Sequence, residues 1–235
     1  MASQADHGSS TGASPDSSTG PLTISHLGHA CVLVEVADRR ILVDPGGFSD
    51  DWHGLTDLDA IVVTHQHPDH LDPEHVPDLV RANPDAVLLV EEQARAMVPD
   101  LDTEAWSDVT VVQLGAVTLR GVGSKHAIIN EFVPRVGNTG VLITAGEQPT
   151  FFHPGDAYDG DPGDVGVLAL PINAPWCASK ETIAFVRRIA PRFAFPVHDA
   201  LLSARGRTLY CDHARNFSLD STELVDLAGG EPRRF

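Results

Sequence analysis

The sequence predicts an α/β fold in which two β-sheets pack together beneath helices. Three observations carry that expectation. Short runs of β-branched and aliphatic residues recur along the chain. Several of them, among them "AIVVT" and "VGVLALPI", are apolar at successive positions, as strands buried on both faces are. Segments with helical patterning or helix-start signals fall between and after these runs. So many buried strands in one domain call for two packed sheets and helices to cover them.

Taken in order, residues 1–21 are rich in Ser, Gly and Thr and lack the basic start and apolar core of a signal peptide. They read as a flexible leader, with residues 22–235 forming a single domain. "LTISHL", "ACVLVEV" and "RILVD" follow as strands, with "ADRR" turning the chain between the last two. A Gly-, Asp- and Trp-containing loop leads to the strand "AIVVT". "DPEHVPDLVRANP" reads as a short helix, "AVLLV" as a strand and "EEQARAMV" as a second helix. "VTVVQL" and "VTLRGV" are strands, and "TGVLITA" and "PTFFH" flank "GEQ" as a hairpin. "VGVLALPI" precedes the helix "SKETIAFVRRIA", with Ser179 as N-cap and Ile183, Val186 and Ile189 on its apolar face. "FAFPV" is a strand ending at His198. In "DSTELVDLAG", Asp220 and Glu223 resemble a capping box and Gly229 a stop, which predicts a last helix.

Composition narrows the function. The net charge is −17, with 33 acidic residues against 16 Lys and Arg, and phosphate-backbone affinity rests on Lys and Arg. A nucleic-acid partner is therefore disfavoured, and a small-molecule substrate is expected. No apolar run approaches membrane-spanning length, so no membrane partner is expected. Cys31, Cys177 and Cys211 are odd in number and form no C-x-x-C, which suits reduced thiols in the cytoplasm.

The chemistry concentrates in "THQHPDHL", Thr64 to Leu71, directly after a buried strand. His65 and His67 lie two residues apart, so on extended chain their imidazoles share a face and can reach one ion. Pro68 turns the chain, and Asp69 and His70 can then address a second. Imidazole nitrogens with a carboxylate oxygen suit Zn²⁺, and also Mn or Fe. Further ligands belong at other strand ends, where His126, Asp156 and His198 each follow a β-type run.

These motifs, together with "LGHACVLVE", "ILVDPG", "HPGDA" and "VHDA", resemble the metallo-β-lactamase superfamily over roughly Leu22 to Arg207. Their order and spacing look most like the small lactonase-type branch that includes ascorbate-6-phosphate lactonase. The "GHA" and "DP" motifs are also similar to those of N-acylphosphatidylethanolamine phospholipase D. The resemblance implies a four-layer αββα sandwich with two divalent metal ions at one edge, zinc by default. His65, His67 and His126 would hold one ion, Asp69, His70 and His198 the other, and Asp156 would bridge them. Asp69 and Asp156 are thereby the catalytic carboxylates. Asp44 would orient the histidine loop, with His29 and His153 as further supporting residues. In "HPGDA", Pro154 and Ala157 stand where family members more often carry Thr, so a hydroxyl contact is lost while Asp156 remains.

The activity implied is hydrolysis of a lactone or related ester by a metal-bridging hydroxide. Phosphodiester cleavage at the same centre, or a catalytically silent metal-binding module, are the alternatives. Substrate contacts are expected from Trp52 and Trp176 as aromatic walls and from Arg205 and Arg207 as anion grips. His7, His53, His75 and His213 are assigned to solvated loops or the leader.

Overall fold

The computed structural model describes residues 20–235, so the expected leader lies outside the described residues apart from Gly20 and Pro21. Two mixed seven-stranded sheets form the body. In the first, β1 (Thr23–His26), β2 (Val32–Val36), β3 (Arg39–Val43), β4 (Ala60–Val63), β5 (Val87–Glu91) and β6 (Glu104–Trp106) lie in chain order, with β14 (Arg233–Arg234) beside β1. Pairing is antiparallel from β14 to β3 and parallel from β3 to β6. The second sheet runs β7 (Val111–Leu114), β8 (Val117–Val122), β9 (Gly140–Ala145), β10 (Phe151–His153), β11 (Val167–Pro171), β12 (Phe193–Val197) and β13 (Glu223–Leu224). It is antiparallel from β7 to β10 and parallel beyond.

Strand alternation builds the layers. In β4, Ala60 and Val62 join the core between the sheets, while Ile61 and Val63 face outward to Val76 and Leu79 of helix α1 (Val76–Ala82). In β11, Val167 and Ala169 point to the same inter-sheet core. Leu168 and Leu170 meet Phe185 of α2 (Ser179–Ile189) and Ala214 of α3 (Ala204–Phe217) on the outside. Helices therefore cover both outer faces, an αββα sandwich. Each fully buried aliphatic or aromatic side chain contributes about 1.5–3 kcal/mol, which is why the unbroken apolar strands lie where both faces are covered.

The hairpin between β2 and β3 turns on Ala37 and Asp38, both with positive φ (48° and 58°), the geometry that two-residue hairpins need. Several local expectations change. "EEQARAMV" forms only a 3-10 turn, Ala94–Met97, whose first amides donate to the Glu91 carboxylate. The last expected helix is absent: Glu223 N–H donates to Arg192 O and Val225 N–H to Ala194 O, so pairing to β12 captures the segment as β13. Tertiary pairing outweighs a local cap signal there. Helix α3, not foreseen, begins at the Ser203 N-cap, whose hydroxyl accepts from Gly206 N–H. The N-cap of α2 is Ala178 rather than Ser179. Its N–H donates to the Glu181 carboxylate at 2.8 Å, and the Ser179 hydroxyl pairs instead with His213 of α3 at 3.0 Å. On α2, Thr182, Phe185, Val186 and Ile189 are buried and Ile183 is not.

Strands β3, β4, β8, β10 and β12 end on one edge of the sandwich. Across it the sheets are tied by Thr139 N–H to Thr64 O (2.9 Å) and His198 N–H to His29 O (2.7 Å).

Candidate metal centre

The loops on that edge bring eight polar side chains from distant parts of the chain together. The ligand-type atoms of His65, His67, His126 and Asp156 lie within 4.8 Å of one another, as do those of His29, Asp69, His70 and His198. Asp156 joins the groups: Oδ1 is 3.1 Å from His70 Nε2, and Oδ2 is 3.2 Å from His198 Nε2 and 3.3 Å from His126 Nε2. Yet Nε2 of His70, His126 and His198 and Oδ1 of Asp156 are buried without an aligned hydrogen bond. Lone pairs converge on common points rather than on each other, the signature of a cation site.

The opposite ring nitrogens explain how the imidazoles are held. Nδ1–H of His70 donates to Asp44 Oδ2 (2.7 Å), that of His126 to Ala127 O (2.6 Å), and that of His198 to Asn173 O (2.7 Å). Thr64 donates its hydroxyl proton to Asp44 Oδ2 (2.8 Å), so its oxygen accepts from His65 Nδ1–H at 3.0 Å. These contacts fix the tautomer and leave Nε2 free toward the centre. His65 Nε2 and His67 Nδ1 stand 3.1 Å apart. Asp44 is fully buried, and its Oδ1 also accepts Thr64 N–H at 2.8 Å. Asp44, His198 and His29 all hold positive φ (52°, 61° and 50°), a concentration of strained backbone typical of functional sites.

Charge accounts for the same arrangement. Burial alone would raise the pKa of Asp156, but His70 and His198 hold it well below the carboxylate range. Burial would lower His198, yet the Asp156 carboxylate outweighs it and lifts His198 to about 9. His70 is likewise raised against its burial by Asp156 and Asp44. His65, by contrast, is lowered well below its usual value by burial and by His70. For Asp69, burial pushes upward but the adjoining His198 and His29 imidazoles prevail, so it stays ionised. Buried carboxylates and imidazoles in one place call for positive charge among them, which a divalent cation would supply while leaving each Nε2 as a ligand atom.

Among the supporting residues, His29 donates Nε2–H to Asp69 Oδ2 (3.1 Å), and its Nδ1 accepts from Ala200 N–H (3.3 Å). Both nitrogens are occupied, so although it lies within ligand distance it acts as a hydrogen-bond donor. His153 accepts Gly155 N–H at Nδ1 (3.1 Å) and donates Nε2–H to Ala30 O (2.9 Å), which ties the β10 end to the first sheet. Trp176 donates its indole N–H to Asp156 Oδ2 at 2.7 Å.

Three substrate expectations are corrected. Trp52 is 1% exposed, packed in the core under α1 with its N–H on Gly46 O (3.1 Å), and forms no wall over the centre. Arg207 is committed to Asp199 (2.7 Å) and, by two bonds, to Asp226 (2.8 and 2.7 Å). Arg205 is exposed on the first turn of α3 and lines neither cleft beside the centre. His213 lies on α3 rather than in a loop. His53 and His75 stack at 4.5 Å, with Asp72 accepting from His75 Nδ1 at 2.7 Å, in a group separate from those two clusters.

Sequence reasoning missed Asn138. Its buried side chain accepts Asp156 N–H (2.9 Å) and donates to Pro154 O (2.9 Å), shaping the turn that carries Asp156. No motif signals it. Gly155 in that turn has φ 61°, and a Cβ there would collide with Asn138 and Thr64.

Comparisons with known proteins agree with this geometry. The family described as Beta-lactamase superfamily domain matches residues 23–198. Protein Rv0786c of Mycobacterium tuberculosis is 37% identical over 193 residues, covering 80% of this chain and 89% of that protein. A UPF0173 metal-dependent hydrolase of Aeropyrum pernix is 30% identical over 199 residues, covering 74% of this chain and 81% of that one. In fold, the chain is similar to the metallo-β-lactamase fold protein YhfI of Bacillus subtilis, with TM-score 0.72 and 15% identity over 92% of this chain and 100% of that one. Igni18, a metallo hydrolase of Ignicoccus hospitalis, gives TM-score 0.71 at 16% identity over 92% and 99%. From its motifs, its sandwich and its relatives, the chain belongs to the metallo-β-lactamase superfamily, within the UPF0173 family of metal-dependent hydrolases.

Proposed function

We propose that the protein is a dinuclear metal-dependent hydrolase that opens a lactone or cleaves a related carboxylic ester. The observation that carries this reading is the convergence of His65, His67, His126, Asp69, His70 and His198 about Asp156, with buried nitrogen and oxygen atoms unpaired toward the centre. His65, His67 and His126 would hold one ion, Asp69, His70 and His198 the other, and Asp156 would be shared. Zinc suits this donor set, and Mn or Fe are the alternatives. Divalent ions held there would acidify a water and polarise the carbonyl oxygen under attack.

The chain's own residues do the rest. His67 and Asp69 are the half-buried members of a set otherwise buried and mark the exposed rim of the centre, His67 with its ring centroid 4.6 Å from that of His126. Asp69, kept ionised, offers an acceptor that orients the attacking water. Asp44, Thr64 and the carbonyls of Ala127 and Asn173 lock the imidazoles before substrate arrives, which lowers reorganisation during the reaction. The unpaired Cys31, Cys177 and Cys211 support a reducing, cytoplasmic setting. Among the described residues no helix is long and apolar enough to cross a membrane.

Elemental analysis of protein purified without added metal should give near two equivalents. Reconstituted protein should turn over lactones or 4-nitrophenyl esters, and Asp156→Ala and His67→Ala should lose both metal and activity. Turnover of bis(4-nitrophenyl) phosphate alone would replace the ester reading, and full metal content in Asp156→Ala would overturn the ligand assignment.

A further inference from the structure

Two clefts flank the candidate centre, and they differ in chemistry. On the Asp69 and His198 side, a cleft of about 510 Å³ is lined by His29, Phe48, Asp50, Asp51 and Asp199. On the Asp156 and His126 side, one of about 520 Å³ is walled by Ala127, Ile128, Tyr158, Trp176, Ala184 and Phe185, with Arg135, Arg188, Asp159 and Glu181 completing its lining. Either volume suits a small-molecule ligand.

We propose that the second cleft is the acyl subsite of this enzyme, taking a hydrocarbon arm of a neutral ester or lactone. The inference rests on the hydrolase reading above and names its substrate class. Continuity with the centre places the arm. Trp176 forms one wall while its indole N–H holds Asp156 Oδ2, and its ring centroid is 6.1 Å from that of His126. Ala127, which also lines the cleft, follows His126 directly and donates its N–H to Asp156 O at 2.8 Å. A group seated between them therefore starts beside the ligand atoms.

The two arginines do not make this an anion site. Arg188 donates to the carbonyls of Tyr158 and Gly160, and Arg135 to His126 O and the Asp159 carboxylate. These bonds commit part of each guanidinium to the protein, and the Asp159 and Glu181 carboxylates in the same lining balance the two charges, so the apolar walls dominate. The loop that borders it leaves apolar side chains in water, with Ile128 64% and Phe132 86% exposed. A hydrocarbon arm would cover Ile128. The acidic cleft opposite repels an anionic leaving portion, which favours a neutral substrate.

The test uses 4-nitrophenyl esters from acetate to octanoate with metal-loaded protein, and 1-octanol titrated into metal-free protein by calorimetry. Each added methylene buried in the cleft should raise kcat/KM about 3- to 4-fold, which compounds to roughly 80- to 250-fold from butyrate to octanoate. Ile128→Asp and Ala184→Asp place charge at exposed cleft positions and should flatten that slope to under about 10-fold. Both should also weaken octanol binding at least about 10-fold. Val109→Lys, at an 85% exposed position outside the cleft, should leave slope and octanol binding intact. A flat series in the wild-type protein, or a slope unchanged in both cleft variants, overturns the subsite. If no ester is cleaved with any metal, the hydrolase reading fails and octanol decides the cleft. Binding abolished by Ile128→Asp supports it, and no binding overturns it.

Discussion

A backbone amide can only donate, so the Ala200 N–H on His29 Nδ1 leaves the His29 proton on Nε2, facing Asp69. His29 therefore orients a candidate ligand without being one. His29→Gln keeps an N–H near that position and should retain metal better than His29→Phe. For the Phe variant, competition with a chelator should read about 10–100-fold weaker binding; equal affinity in the two variants would remove the orienting role. Trp176 makes the equivalent contact to Asp156. Trp176→Phe keeps the ring wall but removes the donor, and it should weaken metal binding about 10-fold while the ester chain-length preference persists. The histidine motif was legible at this scale because its spacing is local. The tautomer locks were not, since their acceptors are backbone carbonyls of Ala127 and Asn173, which no side-chain pattern marks.

At the scale of elements, the centre depends on loops that touch closely. Gly46, following β3, has no room for a side chain: a Cβ there would overlap the Asp69 carbonyl and crowd His70 N. Gly46→Ala should displace the turn that carries Asp69 and His70 and lower metal content in elemental analysis, while the far-ultraviolet circular dichroism of the sandwich is kept. Helix α3 is anchored by Arg207 between Asp199, next to His198, and Asp226 near the C-terminus. The Arg207 hydrogen bonds hold Asp226 at about 2, below its ordinary 3.8. That contribution is complete above pH 4 and disappears as the pH falls toward 2. Asp226→Asn should lower Tm by about 1–3 °C at pH 7, with the difference closing in acid. The sequence does not signal α3 and suggests a helix where β13 forms for the same reason: their states are set by packing against β12 and α2 rather than by local patterning.

For the molecule as a whole, the candidate ligands come from both sheets. His65, His67, Asp69 and His70 follow β4 of the first, and His126, Asp156 and His198 follow β8, β10 and β12 of the second. Ions held between them would clamp the sandwich at its open edge. Ligand linkage at about 1,000-fold excess over Kd contributes roughly 4 kcal/mol. Chelation should therefore lower Tm by about 10 °C, reversed by restoring the metal. An unchanged melting curve would show that the edge is closed without ions.

By itself the sequence determined the buried strands, the strong local metal motif and, through distributed motifs, the family, because these depend on composition and spacing along the chain. Only the tertiary structure decided which aromatic reaches the centre. Trp52 and Trp176 both lie in loops, yet one sinks into the core under α1 and the other hydrogen-bonds Asp156 and walls a cleft. It also decided that Arg207 is a strut, through Asp226 nineteen residues away. Such assignments depend on which partners are near in space, and that proximity is fixed by sheet order and layer packing rather than by neighbours in the chain.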